Sequence, residues 1–165
     1  MKKIILLFML LLPLSMVAQD VKIAIVNQNE VFNAMPEATA MENELMALTQ
    51  RWQAELQSME NDFNRKYSDF MAQQDSLSEN IRIMRVQDIE DTRTRMENLV
   101  QAAQQDREKK YEELLMPIQE KMQKAIDDVG EENGYTLIIN PQALLFSGKN
   151  IINATDKVKA KLGIR

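Results

Sequence analysis

The eight residues Asn133–Asn140, NGYTLIIN, decide what kind of molecule this chain forms. Asn133-Gly134 reads as a helix stop, because glycine takes up the left-handed backbone that closes a helix end. Tyr135-Thr136-Leu137-Ile138-Ile139 is aromatic and β-branched, the composition of a strand, and Asn140-Pro141 turns the chain. A lone short strand is not stable, and its open edge is a liability. The matching run lies near the other end of the chain: Lys22-Ile23-Ala24-Ile25-Val26-Asn27. If the two pair within one chain, everything between them must double back.

What lies between is helical in character. From Glu37 to Glu132 no glycine occurs before Gly130, and Pro117 is the one proline after Pro36. Glu, Gln, Lys, Arg, Met, Leu and Ala dominate, all good helix formers. Pro36 suits the first turn of the long helix, and Glu30 to Ala34 reads as helical before it. Large apolar residues fall at Leu45, Leu48, Trp52, Leu56, Met59, Phe63, Tyr67 and Phe70, in steps of 3, 4, 4, 3, 4, 4, 3. This is an 11-residue repeat, which favours straight or mildly right-handed coiling. The same stripe is read through Val100, Ala103, Arg107, Tyr111, Leu114, Ile118, Met122, Ala125 and Val129.

The stripe is weakest where Gln74, Ser78 and Arg85 fall on it. Ser76 and Glu79 have capping-box spacing, so a new helix is expected to start here. That gives a hairpin with its tip near 73–80 and arms of roughly 60 Å, at 1.5 Å per residue. Pro117 is expected to kink the returning arm. Taken alone, the stripe also fits one continuous rod, since its phase runs unbroken and no Gly or Pro marks a turn; the strands at both ends favour the hairpin. Beyond Asn140-Pro141, Ala143 to Phe146 reads as a further strand. Asn153 with Asp156 resembles the start of a last short helix ending at Leu162.

Residues 1–18 read as a secretory signal peptide cut after Ala18 or Gln19: a basic start, then a nearly unbroken apolar run. The run is shorter than the ~20 residues of a spanning helix, so no stable membrane insertion is expected. Export with no cysteine excludes disulfides and a cleavage-site lipid anchor. Of 20 basic residues, Lys2 and Lys3 leave with the signal peptide; 18 remain against 25 acidic, a net charge of −7. Such a chain does not suit nucleic acid, which selects a basic surface.

Catalysis is not expected either. The chain has no histidine, the commonest general base and metal ligand. Without Cys or His a zinc site is not expected. The four glycines are scattered, so there is no phosphate-binding loop. Asp127-Asp128 and Glu131-Glu132 read as solvated charge, and no loop has EF-hand spacing. No cofactor is expected.

In order, the chain reads signal peptide, KIAIVN before Phe32, long helices, ENGYTLIIN, ALLFSG and NATDKVKAKL. The order resembles the Skp/OmpH family of periplasmic chaperones, most specifically at Lys22–Asn27 and Gly134–Asn140. The resemblance implies an α+β fold: a small β-rich trimerisation body, residues 19–36 plus 133–165, bearing an antiparallel helical coiled-coil hairpin, residues 37–132. It implies a homotrimer whose hairpins surround a cavity and hold unfolded outer-membrane β-barrel proteins without ATP. On this match Ile23, Ile25 and Val26 belong to the body strand near the trimer axis, and Leu137, Ile139, Leu144 and Phe146 complete the body core.

One departure stands out: familiar members are basic and this chain is acidic, so attraction of acidic clients or lipopolysaccharide does not carry over. Arg82, Arg85, Arg93 and Arg95 near the tip read as a solvated helix face. Nine methionines remain in the mature chain. Met59, Met96 and Met122 fall on the seam; Met46, Met71, Met84 and Met116 fall off it, where an adaptable side chain suits varied partners. Phe70, Met71, Ile81, Ile83 and Met84 give the tip more apolar surface than two arms need, and are the candidate client contacts. A second functional reading is a structural periplasmic coiled-coil spacer or adaptor built as a straight rod.

Overall fold

The computed structural model describes residues 21–148 and 150–164; residues 1–18, expected to be a signal peptide, lie outside them. Strand β1, Ile23–Ile25, leads into helix α1, Gln28–Ala34. The Asn27 side chain accepts from the Glu30 amide at 3.2 Å and caps α1. Met35 is extended, and Pro36 then opens helix α2, Pro36–Gln73. Thirty-eight residues at 1.5 Å each make this arm about 57 Å long.

The chain reverses at a single 3₁₀ turn, Gln74–Ser76, followed by extended Leu77. Helix α3 returns from Glu79 to Asn133 and runs through Pro117 without interruption. The two arms are antiparallel: Glu37 meets Lys121, Glu44 meets Lys110, Arg51 meets Asp106 and Lys66 meets Asp88. The capping expectation needs correction. The Ser76 hydroxyl donates back to the Gln73 carbonyl at 2.8 Å, closing the outgoing helix. Ser78 stands before the returning one, without a side-chain cap.

Gly134 ends α3 with φ +64°, and its amide reaches back to the carbonyls of Gly130 and Glu131. Strand β2, Leu137–Ile139, follows at once. It lies parallel to β1, with Ile23 opposite Leu137 and Ile25 opposite Ile139. The other edge of β1 is taken by β3, Ile152–Asn153, also parallel, giving the order β2-β1-β3. Parallel pairing of distant segments is what forces the hairpin: the helices are the crossover that parallel strands require.

Ala143–Phe146 is not a strand. Asn140 accepts from the Gln142 amide at 3.1 Å, and Pro141–Ala143 form a 3₁₀ turn that carries the chain off the sheet. Leu144 is half-buried, while Leu145 is fully exposed and Phe146 is 84% exposed. β3 takes the vacant edge because the final helix anchors it. The Ala154 amide donates to the Ile25 carbonyl at 2.9 Å, and the Asn153 side chain accepts from the Thr155 amide at 3.0 Å. Helix α4, Thr155–Lys161, follows.

The core sits under the inner face of this sheet. Ala24, Val26, Val31, Ala154 and Val158 pack with Ala125, Ile126 and Val129, with Ile138 and Tyr135 against them. The last turns of α3, which the sequence division assigns to the arm, thus build the body. A second cluster of Met35, Ala38, Met41 and Ile118 roots the two arms beside it.

Candidate functional site

Strand alternation splits the predicted body residues into two sets. Successive side chains point to opposite faces. Ala24 and Val26 point inward and are buried. Ile23 and Ile25 point the other way, and the register sets Leu137 and Ile139 beside them. These four make an apolar outer face: Leu137 is exposed and the other three are half-buried. Val26 belongs to the inner core instead, and Leu144 and Phe146 belong to the segment that leaves the sheet. Sequence reasoning missed Ala24 and Ile138 as inner-core residues. Ala24 is too small to register in an apolar stripe, although its position between Ile23 and Ile25 gives it away.

Along the limb, Leu45, Leu48, Trp52, Leu56, Met59, Phe63 and Phe70 are half-buried in the seam. Tyr67 is not: it is 50% exposed, stacked on Phe63 with ring centroids 6.2 Å apart. Lys66 occupies the seam in its place, with its side chain 21% exposed. The ammonium bonds Asp88 and Thr92, each at 3.0 Å, and pairs with Asp62 at 3.2 Å. The bond to Asp88 first, and then the contact with Asp62, hold the Lys66 pKa above the ordinary lysine value despite the opposing effect of burial. The same contacts, Lys66 first and Arg65 second, hold Asp62 below the ordinary carboxylate range. Thr92 is buried and its hydroxyl donates to the Asp88 carbonyl at 2.8 Å, while the Asp62 and Asp88 side chains stay partly open to solvent.

The returning arm departs further from its expected stripe. Val100 and Tyr111 are exposed, and so is Arg107; Leu99, Asp106 and Lys110 sit nearer the seam. Asp106 accepts from the Trp52 indole at 3.1 Å and pairs with Arg51 at 3.4 Å. A search for apolar residues steps past a seam position that an aspartate fills. At the root, Lys121 pairs with Glu37 and holds the Glu37 carboxyl below its ordinary range.

The methionines divide as their spacing predicts: Met59, Met96 and Met122 half-buried, Met46, Met71, Met84 and Met116 exposed. At the tip, Met71, Ile81, Ile83 and Met84 are exposed, Met84 to 66%, with Val86 exposed beside them and Phe70 half-buried. Val86 is a tip residue that the sequence reading does not name. Of the tip arginines, Arg82 pairs with Glu79, and Arg93 pairs with Glu90 at 3.1 Å. Arg95 donates to the Asp91 carbonyl at 3.3 Å. They are largely committed to their own helix.

Charge is divided sharply between body and limb. Residues 37–132 hold 12 basic and 22 acidic side chains, a net −10; residues 19–36 and 133–165 hold 6 basic and 3 acidic, a net +3. Among the described residues no cluster of three His, Cys, Asp or Glu could hold a metal ion, and no helix is long and apolar enough to cross a membrane. What the limb offers is extended surface: shallow grooves along the arms and exposed apolar side chains.

Known proteins share this design. The family described as Outer membrane protein (OmpH-like) matches residues 22–162. The Chaperone protein Skp of Yersinia enterocolitica is 27% identical over 138 residues, 84% of each chain. That of Photorhabdus luminescens is 30% identical over 132 residues, 79% of this chain and 80% of its own. The solved structure of an OmpH-like protein from Caulobacter crescentus superposes with a TM-score of 0.77 at 14% identity, covering 85% of this chain and 82% of its own, a likeness of fold. With a matched family spanning the sheet, both arms and the closing helix, this chain belongs to the OmpH-like outer membrane protein family.

Proposed function

We propose that this protein is an ATP-independent periplasmic holdase for unfolded outer-membrane β-barrel proteins, exported by its signal peptide and working as a homotrimer. The observation that carries this is the limb. Its arms are joined by a narrow seam, and large apolar side chains stand exposed on its other faces, concentrated at the tip. Its relatives are named chaperones. Phe70, Met71, Ile81, Ile83 and Met84 are client contacts in this reading. Many weak apolar contacts over an extended surface hold a chain against aggregation and still release it.

The outer face of the sheet supports assembly. Ile23, Ile25, Leu137 and Ile139 form an apolar patch across β1 and β2 of the three-stranded sheet, and Leu145 and Phe146 are exposed in the single chain. Joining copies through this patch hides it and sets the limbs around a common space. The straight-rod spacer loses its basis, because the helices double back. The test is dilution of a urea-unfolded outer-membrane β-barrel protein into buffer with the mature protein, residues 19–165, followed by turbidity. Near-stoichiometric amounts suppress aggregation without nucleotide; aggregation equal to that with no added protein overturns the proposal.

A further inference from the structure

The two edges of the limb are chemically different. Among the described residues, the ion pairs between the arms are Glu37–Lys121, Glu44–Lys110, Arg51–Asp106 and Lys66–Asp88. Glu37, Glu44 and Arg51 are seven apart, so they share one side of α2. Glu44 lines both the groove with Arg51, Asp106 and Lys110 and the groove with Glu37, Pro117 and Lys121. Ser58, a further seven residues on, lines a groove with Asp62 and Thr92 on the same side. One edge is therefore laced by charge from root to clasp.

The other edge has no ion pair between the arms among the described residues. A groove of about 180 Å³ runs there between Thr49, Trp52, Gln53, Leu56, Val100 and Ala103, with Arg107 at its side. Met46 and Glu42 continue it toward the root. Tyr67 and Met71 lie 18 residues, five helical turns, beyond Thr49 and Gln53, so they extend the same edge outward. Tyr111, four residues past Arg107, lies on it from the returning arm. Met46, Tyr67, Met71, Val100 and Tyr111 are all exposed.

We infer that the limb grips its partner along this ion-pair-free edge, and that what it takes is an unfolded polypeptide segment rich in apolar and aromatic side chains and poor in acidic ones. The inference rests on the holdase reading and deepens it. Charge decides between occupants. A limb of net −10 repels the equally acidic limb of a second copy, so a neighbouring limb does not cover the edge. The laced edge, with its charges already paired, offers a client little. The open edge offers rings, methionines and methyl groups, with Thr49, Gln53, Glu42 and Arg107 among them.

The test places photoreactive benzoylphenylalanine at Gln53 on the open edge or at Ala47 on the laced edge of the full mature protein. The probe is a urea-unfolded outer-membrane β-barrel protein. Crosslinking to the probe from position 53 is expected to exceed that from 47 by about tenfold. Equal yields, or crosslinks from 53 mainly to a second copy, overturn the inference while leaving the holdase reading intact. A second measurement uses the triple variant Met46→Gln, Val100→Asn and Tyr111→Ser, whose sites are exposed, against Glu44→Lys with Lys110→Glu. The concentration giving half-maximal suppression of aggregation rises about tenfold in the first and is unchanged in the second. Equal suppression by both overturns the inference, and no suppression by the unaltered protein overturns the reading beneath it.

Discussion

Two residues show how local chemistry sets this fold. Gly134 joins arm to sheet with φ +64°, a backbone that any side chain strains. Space is not the constraint, since a Cβ there meets nothing within 4 Å. Gly134→Ala is therefore expected to cost about 1 kcal/mol, read by urea denaturation. Lys66 is the other. Its pKa is raised, so its contribution is complete below the ordinary lysine value and is lost as pH rises through the folded value above it. Asp62 is depressed, so its contribution is present above the ordinary aspartate value and is lost as pH falls through the folded value below it. The clasp thus holds across neutral pH. The stability difference between the native protein and Lys66→Met is expected to stay constant there and to shrink below about pH 4, by thermal melts across pH.

At the scale of elements, the seam and the edges should respond differently to the same chemistry. Ile118 is buried at the root of the arms, and Ile118→Ala should cost about 2–4 kcal/mol. Val100, 51% exposed, should lose less than about 0.5 kcal/mol on the same change. Urea unfolding of both variants checks the pair. Most elements were legible in the sequence for reasons of pattern. Tyr135–Ile139 and Ile23–Val26 are dense in β-formers, and the α2 stripe is regular. Elsewhere the pattern was silent. The returning seam carries Asp106 and Lys110, whose place is set by Trp52, Arg51 and Glu44 across the gap. Such pairing depends on the partner arm, which a single helix's periodicity does not contain. β3 is two residues long and is held by the helix after it, whereas Ala143 to Phe146, the denser apolar run, carries the strand signal without forming one. The outer face of the sheet was half-legible: Ile23, Ile25, Leu137 and Ile139 stand out as apolar strand residues, but which face each takes follows from register.

For the whole molecule, the split between an acidic limb and a basic body bears on mechanism. With net −10 on each limb, apolar contact has to hold a client against repulsion of its acidic groups. Raising salt from about 50 to 500 mM screens that repulsion, so holding should be undiminished or stronger, whereas a chaperone that attracts clients by charge weakens. Turbidity titrations at the two salt concentrations distinguish these. The central claim is that copies joined through the body hold one unfolded chain among their limbs. The most direct measurement is the solution mass of the mature protein by light scattering, alone and after rapid dilution of a urea-unfolded β-barrel protein into it. The account predicts a mass of three chains alone, and a soluble complex of three chains with one client. A single-chain mass that stays unchanged while the client precipitates would contradict it.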